Sequence, residues 1–371
     1  MVDDLKGALS FSVGDTHNGS RRGTVKLNRG SFSTPIFMPV GTRGTIKAAI
    51  ANDIAAIGFE VILGNTYHLM LRPGVEVIDA LGGLGRFSGW KRSMLTDSGG
   101  FQVMSLGATF SDAGATFRSI YDGSIHDVTP EKAVWLQEMI GADIAMVLDV
   151  CTNLPASRDE IKRAMDLTHS WALRARFAKH RQDQAQFGIV QGGSEVDLRS
   201  ESAKFISDVG FEGIALGGLA VGESRDDMLR AIDAVVPHLP PDKPRYLMGV
   251  GDPIGVVEAI ARGIDMFDCV APSRVARHGV AMTFSGKMHM RNQKYVRDES
   301  PIEPGCPCVA CANFPRALIR HLVSVGEPTG GSLLTLHNLT FMYRLIEGSR
   351  NAISTKTLGE YIKSIYAAWG N

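Results

Sequence analysis

The sequence predicts an α/β fold, a (β/α)8 TIM barrel carrying a zinc-binding insertion after its eighth strand. Three observations carry this. Eight short apolar runs recur along the chain, each closing on glycine or a polar residue. Segments with helical periodicity lie between most of them. After the last run, residues 280–345 break the repeat and contain Cys306, Cys308 and Cys311. Short continuous apolar strands alternating with helices are the pattern of parallel strands covered on both faces, and eight such units close into a barrel. An open doubly wound sheet is the structural rival. It is weakened by the lack of a Gly-x-Gly-x-x-Gly turn after the first strand.

Residues 8–13 and 22–27 alternate and are joined by Gly, Asn and Ser, the signature of a hairpin placed to cover the barrel floor. The eight runs are then 36–40, 61–63, 93–95, 144–148, 187–190, 213–216, 246–248 and 266–267. The clearest helical segments are 45–57, 130–141, 157–179, 196–209, 225–237 and 253–262. Residues 106–129 read as an inserted hairpin, with Thr116–Tyr121 as its first arm and Asp122-Gly123 as its turn. A last amphipathic helix over 357–368 closes the barrel. The expected division is therefore residues 1–279 and 346–371 for the barrel and 280–345 for the zinc-binding insertion.

Composition sets the bounds. The chain has 371 residues, 44% hydrophobic and 21% charged, as in an ordinary globular protein. Lys+Arg and Asp+Glu both number 39, so any nucleic-acid surface must be local. No apolar run reaches membrane-spanning length. The stretch Met1 to Lys6 lacks the apolar core of a secretory leader. Five cysteines, three of them packed together, suit a reduced cytoplasmic protein with a metal site better than a disulfide framework.

Cys306, Cys308 and Cys311 form a Cys-x-Cys-x2-Cys run, and His337 follows 26 positions later. Three thiolates and an imidazole complete a closed tetrahedral site, so the expected Zn2+ is structural. His321, in a basic helical stretch, is the weaker candidate for the fourth ligand. From Cys269 to Arg297 there is no acidic residue, yet Arg274, Arg277, Lys287, Arg291, Lys294 and Arg297 are present. That stretch reads as a phosphate-binding surface. Pro304 to Gly326 is again free of acid, so the insertion is expected to extend the same face.

Asp97, Asp149 and Asp268 each end a predicted barrel strand, where the chemistry of such barrels sits. Any one alone would pass for a turn residue or helix N-cap; three converging on one pocket imply chemistry. The pairs Gly99-Gly100, Gly192-Gly193 and Gly217-Gly218 would let backbone approach a flat ligand. The acids suit either displacement at an anomeric carbon, with one carboxylate as nucleophile and another as acid/base, or a divalent metal held by carboxylates. Spacing alone leaves both open.

Several motifs resemble those of the bacterial tRNA-guanine transglycosylases over nearly the whole chain. They include Thr34-Pro-Ile-Phe-Met-Pro-Val-Gly41, Gly64-Asn-Thr-Tyr-His-Leu69, Thr96-Asp-Ser-Gly-Gly-Phe-Gln-Val103, Val190-Gln-Gly-Gly193, Gly217-Gly-Leu-Ala-Val-Gly-Glu223, Met248-Gly-Val-Gly251, Phe267-Asp-Cys-Val270 and the metal set. The resemblance implies the same barrel with a zinc subdomain. It implies exchange of the wobble guanine of tRNA with a GUN anticodon for 7-aminomethyl-7-deazaguanine, a step of queuosine biosynthesis.

By that resemblance Asp268 is the nucleophile at C1′ of the ribose and Asp97 the general acid/base. Asp149, Ser98, Gln191, Gly217 and the Gly218 amide bind the base, with Gly99 and Gly100 lining it. Phe101 and Met248 sandwich the ring. The Leu219 carbonyl takes the aminomethyl group, and Glu223 supports that loop. Val221 narrows the pocket and so favours the small precursor over queuine. Gly249, Val250, Gly251, Asp252 and Pro253, with Ser273, Arg274, Val275, Ala276 and Arg277, meet the anticodon loop. A homodimer is implied by the resemblance alone. The alternatives are the same exchange with queuine or on DNA, and a non-catalytic tRNA-binding partner subunit, whose signature would be loss of the acids.

Overall fold

The computed structural model describes residues 7–370; the leader reading of Met1 to Lys6 lies outside them. In chain order the strands are β1 Leu9–His17, β2 Ser20–Leu27, β3 Gly30–Thr34, β4 Ile36–Met38, β5 Val40–Gly41, β6 Val61–Gly64, β7 Ser93–Thr96, β8 Thr109–Ser111, β9 Gly114–Arg118, β10 Ile125–Val128, β11 Ile144–Met146, β12 Ala185–Val190, β13 Gly213–Leu216, β14 Arg245–Leu247, β15 Met266–Asp268, β16 Val280–Thr283 and β17 Gly286–His289.

Nine of these form one parallel sheet in the order β4-β15-β14-β13-β12-β11-β7-β6-β5. Pro39 explains why there are nine segments rather than eight. It has no N–H to donate to a ladder, so the first run splits around it. β4 pairs with β15 and β5 with β6, and the chain through Pro39 closes the barrel. The Pro39 carbonyl still accepts from Leu63 N at 2.9 Å. Nearly every barrel residue is buried, which is why these strands read as unbroken apolar runs.

Helices between the strands begin where the sequence supplies caps. Thr129 accepts from Lys132 N with Pro130 in the first turn. Ser157 and Glu160 form a reciprocal capping box at the start of Arg158–Ala178. Asp252 caps Pro253–Ala261. Four expectations need correction. The helix expected over 45–57 begins only at Ala51, because Ala48 takes a left-handed φ of 65° that a helix does not allow. The hairpin expected at the N-terminus is a three-stranded sheet, β1-β2-β3. The inserted hairpin of 106–129 is also three-stranded, β10-β9-β8, and its arm stops at Arg118. Finally, one helix, Pro328–Ser354, runs through position 345, where a domain boundary was expected.

The β1–β3 sheet covers the barrel at the N-terminal ends of the strands. Arg21 on β2 reaches the carbonyls of Pro241 at 2.6 Å and Lys243 at 2.7 Å, and the carboxylate of Asp265. Beyond β15, residues from β16 to Val325 pack a small core of their own, including Met290, Tyr295, Ile302, Ile319 and Val323. The long helix ties that core to the barrel. Its Asn338 donates to the carbonyls of Pro272 and Val280, both at 3.0 Å, and accepts from Met282 N at 2.8 Å.

Candidate active site

The three predicted acids converge on one cavity of about 450 Å³ at the C-terminal ends of the strands. Asp97 follows β7, Asp149 follows β11 and Asp268 ends β15. Asp268 Oδ1 accepts from the Tyr246 hydroxyl at 2.6 Å and from Gly249 N at 2.8 Å. Its Oδ2 has no partner among the described residues. Asp97 is gripped more tightly. One oxygen accepts from Asn65 and, at 3.0 Å, from Gln102, and the other accepts from Thr66 N at 2.9 Å. Asp149 Oδ2 accepts from Gln191 Nε2 at 2.6 Å.

None of the three acids makes an ion pair among the described residues, and burial raises the proton affinity of each. Burial pushes Asp97 up to about 6; its three donors oppose the shift and the Asp268 charge adds to it. Burial and the neighbouring Asp97 charge likewise raise Asp149 to about 6, against the Gln191 bond. Asp268 is also raised by burial, with Tyr246 and Gly249 holding it back. Carboxylates collected without a cation are poised for proton transfer near neutral pH.

Ser98, Gly100, Phe101, Gly217, Gly218, Leu219, Val221, Met248, Gly249 and Arg274 line the same cavity. Glu223 accepts from the backbone of Ala220 and, at 3.0 Å, from Val221 N, so it braces the loop after β13. Gly99 is set just behind the wall, its φ of 86° starting the short helix Gly100–Ser105. The protein's own packing also demands glycine in these pairs. A Cβ on Gly100 would sit 2.8 Å from the Asp149 carbonyl, and one on Gly218 2.3 Å from Gln191 Oε1. Gly192 and Gly193 do not reach the cavity; side chains there would strike Arg199 and Ile161.

Of the residues expected to meet the anticodon loop, Gly249, Asp252, Arg274 and Arg277 are exposed. Val250, Gly251, Pro253, Ser273 and Ala276 are buried, so only their backbone could face a ligand. Asp252 is committed to its helix cap, and Val275 is half-buried. Arg274, Arg277, Lys287, Arg291, Lys294 and Arg297 are all exposed and make no ion pair among the described residues. The extension of this face into the metal segment is weaker than expected. There Arg316 is spent on Asp298 at 3.0 Å and Arg320 on the Asn292 carbonyl at 3.1 Å.

The metal cluster assembles as expected. Cys306, Cys308 and Cys311 place sulfur 3.7, 3.5 and 3.4 Å from His337 Nδ1, and all four ligand atoms lie within 4.8 Å of one another. Tetrahedral bonds of about 2.3 Å to sulfur and 2.0 Å to nitrogen would set these atoms about 3.5 Å apart. His337 Nε2 bonds the Met282 carbonyl at 3.0 Å, which leaves Nδ1 as the lone-pair nitrogen. His321 is exposed and outside the cluster. The cluster can hold a metal ion.

Several supporting residues escaped sequence reasoning. Asn65, Gln102 and Tyr246 position the acids, and their side chains carry no signal beyond sitting near strand ends. Arg199 is fully buried and was read only as part of a helix. Among the described residues no helix is long and apolar enough to cross a membrane.

Comparison with known proteins agrees with this geometry. The family model for queuine tRNA-ribosyltransferase matches residues 15–371. Queuine tRNA-ribosyltransferase of Pelotomaculum thermopropionicum is 49% identical over 350 residues, covering 93% of this chain and 95% of the relative. That of Halothermothrix orenii is 48% identical over 358 residues, covering 95% and 96%. That of Pseudomonas aeruginosa is 46% identical over 364 residues, covering 98% of each. The chain belongs to the queuine tRNA-ribosyltransferase family, a family of tRNA-guanine transglycosylase enzymes.

Proposed function

We propose that this enzyme exchanges the wobble guanine of GUN-anticodon tRNA for 7-aminomethyl-7-deazaguanine through a covalent bond between Asp268 and the ribose. One observation carries the reading. Asp268 has one oxygen pinned by Tyr246 and Gly249 and the other without a partner among the described residues, in a cavity shared with Asp97 and Asp149.

In the proposed reaction Asp268 Oδ2 attacks C1′ as the C1′–N9 bond breaks. The electron pair leaves with guanine, which takes a proton from Asp97. Asp97, now a carboxylate, removes the N9 proton of the incoming base; N9 attacks C1′ and the ester oxygen leaves as the restored Asp268. With Asp97 near 6, both of its forms are accessible around neutral pH. The covalent intermediate lets one base replace another without water intervening. The wobble base must first leave the anticodon stack to reach the cavity.

Asp149 is an acceptor suited to the N1–H and 2-amino donors of a guanine-type edge, and the Gln191 bond holds its carboxylate in place. Phe101 and Met248 supply the faces. Val221 stands in the wall and favours the smaller base over queuine. The unpaired arginines and lysines from Arg274 to Arg297 would take the tRNA phosphates. A homodimer and a division into barrel and metal-binding segment belong to the same proposal.

Zinc is the ion we assign to Cys306, Cys308, Cys311 and His337. Bound there, with no open position, it would act as a structural cross-link. Its test is metal analysis of the purified protein. One zinc per chain is expected, and treatment with chelator should unfold the segment around β16 and β17, read by circular dichroism.

The exchange is tested with labelled 7-aminomethyl-7-deazaguanine, guanine and queuine on unmodified GUN-anticodon tRNA. Incorporation of the first two, lost in Asp268→Ala, is the expected result. Incorporation of queuine would remove the role given to Val221. No incorporation by folded, metal-loaded protein would sink the proposal.

A further inference from the structure

We infer that Arg199, which does not touch the cavity, is a positioning residue that fixes which hydrogen-bonding edge of a purine the enzyme accepts. The inference rests on the base-pocket reading above. Arg199 is fully buried and has no carboxylate partner among the described residues. Its guanidinium instead gathers four carbonyls from two loops. Nε donates to Gly193 O at 2.7 Å, Nη1 to Val190 O at 3.0 Å and to Gly217 O at 2.7 Å, and Nη2 to Gly218 O at 3.1 Å. A buried cation is costly unless every donor is used, and all of this one's bonds go to the backbone behind the base pocket.

The consequence follows from the peptide plane. The Gly217–Gly218 bond is trans, since the cis bonds of the described residues lie elsewhere. In a trans peptide the C=O and N–H point in opposite directions. Holding the Gly217 carbonyl back toward Arg199 therefore turns the Gly218 N–H forward, toward the cavity that Gly217 and Gly218 line. That N–H has no acceptor among the described residues, whereas the Gly217 N–H is already spent on Val190 O at 3.0 Å. Gly218 has a φ of 64°, and a Cβ there would strike Gln191 Oε1. A two-glycine turn is free enough to flip its central peptide, and Arg199 is what prevents the flip.

The same helix, Val196–Val209, makes a second bond to the site. Ser202 lies one turn after Arg199; its hydroxyl accepts from Gln191 N at 3.1 Å and is 2.9 Å from His169 Nε2. Ser202 anchors the strand end that carries Gln191. Arg199 sets the direction of a donor. A donor aimed at C6 of the base selects purines with a good acceptor there, the oxo group of guanine and of its 7-deaza analogues.

The test compares guanine with 6-thioguanine, which keeps the N1–H and 2-amino donors but offers a poor acceptor at C6. Dissociation constants are measured by competition on the metal-loaded enzyme. Wild type should favour guanine, and Arg199→Met should lower that preference by about tenfold, the worth of one good hydrogen bond. Ser202→Ala should weaken both bases and leave their ratio unchanged. If Arg199→Met does not fold, Arg199→Lys takes its place, with a smaller drop in the ratio expected because one ammonium cannot hold four carbonyls. Equal weakening of both bases by the Arg199 variant would overturn the inference, as would a wild type indifferent to the C6 atom. A wild type that binds no purine would instead defeat the base-pocket reading.

Discussion

Asp265 and Asp268 lie three positions apart at the two ends of β15 and have opposite surroundings. Asp265, at the barrel floor, is fully buried and neutralised. Arg21 reaches it from the covering sheet through Nε at 3.0 Å and Nη2 at 2.5 Å, and Arg245 N adds a third bond at 2.7 Å. Asp268, at the mouth, receives a phenol and an amide, with no cation paired to it among the described residues. A buried carboxylate with a guanidinium serves the fold. Burial raises the proton affinity of both, but the one held by neutral donors keeps a free oxygen, a stability cost tolerated where reactivity is needed.

The comparison breaks most sharply under identical substitutions. Asp268→Asn should reduce base exchange by roughly 10⁴-fold or more, as loss of a nucleophile does elsewhere, while the melting temperature holds or rises. Asp265→Asn should do the reverse. It leaves Arg21 buried beside a neutral amide, a loss of about 3–5 kcal/mol, with exchange near normal in whatever protein stays folded. Denaturant melts and labelled-base assays on both variants read the two effects; a stability loss at Asp268 as large as at Asp265 would contradict the division.

Asp149 sharpens the point with a gain. Its carboxyl takes protons more readily in the folded protein, near 6, than in the unfolded chain, near 3.8. Between those values the folded state binds more protons, so stability falls as pH rises and the deficit is complete at pH 7. Asp149→Asn, whose carbonyl can still accept from Gln191, should therefore stabilise the protein at pH 7 by up to about 3 kcal/mol. The gain should fade as pH falls from about 6 to about 4, and base binding should be lost. A melt that is insensitive to the substitution across this range would remove the argument.

The smallest effect is in pH dependence. Guanine release uses Asp97 protonated and the incoming base uses it as a carboxylate, so the rate of the second half-reaction, followed from the preformed covalent intermediate, should rise through pH 6. Asn65→Ala removes one donor that favours the charged form, so the midpoint should move upward. A downward or absent shift in the pH profile would show that Asn65 does not set the acid's proton affinity.

Much of the fold was legible because barrel strands covered on both faces must be apolar throughout and must stop at polar residues. The runs ending at Asp97, Asp149 and Asp268 show this, and the acids were read from the same endings. Short strands with exposed faces, β3 and β8, leave a weak signal and were missed. So was the break at Pro39, since both halves of that run are equally apolar. The glycine pairs were visible, but only the packing around Gln191 and Arg199 shows what they are for.

The sequence by itself determined what depends on neighbours along the chain. This covers the strand and helix alternation, the helix caps, and the Cys-x-Cys-x2-Cys set, whose three cysteines lie within six positions of one another. Tertiary structure alone decided what depends on distant partners. Arg21 finds Asp265 across 244 positions, Tyr246 holds Asp268 from the next strand, and Arg199 reaches carbonyls that follow two different strands. Those bonds form only after the barrel closes, because closure brings strand ends far apart in sequence to a single rim. The difference between a structural acid and a reactive one is made there.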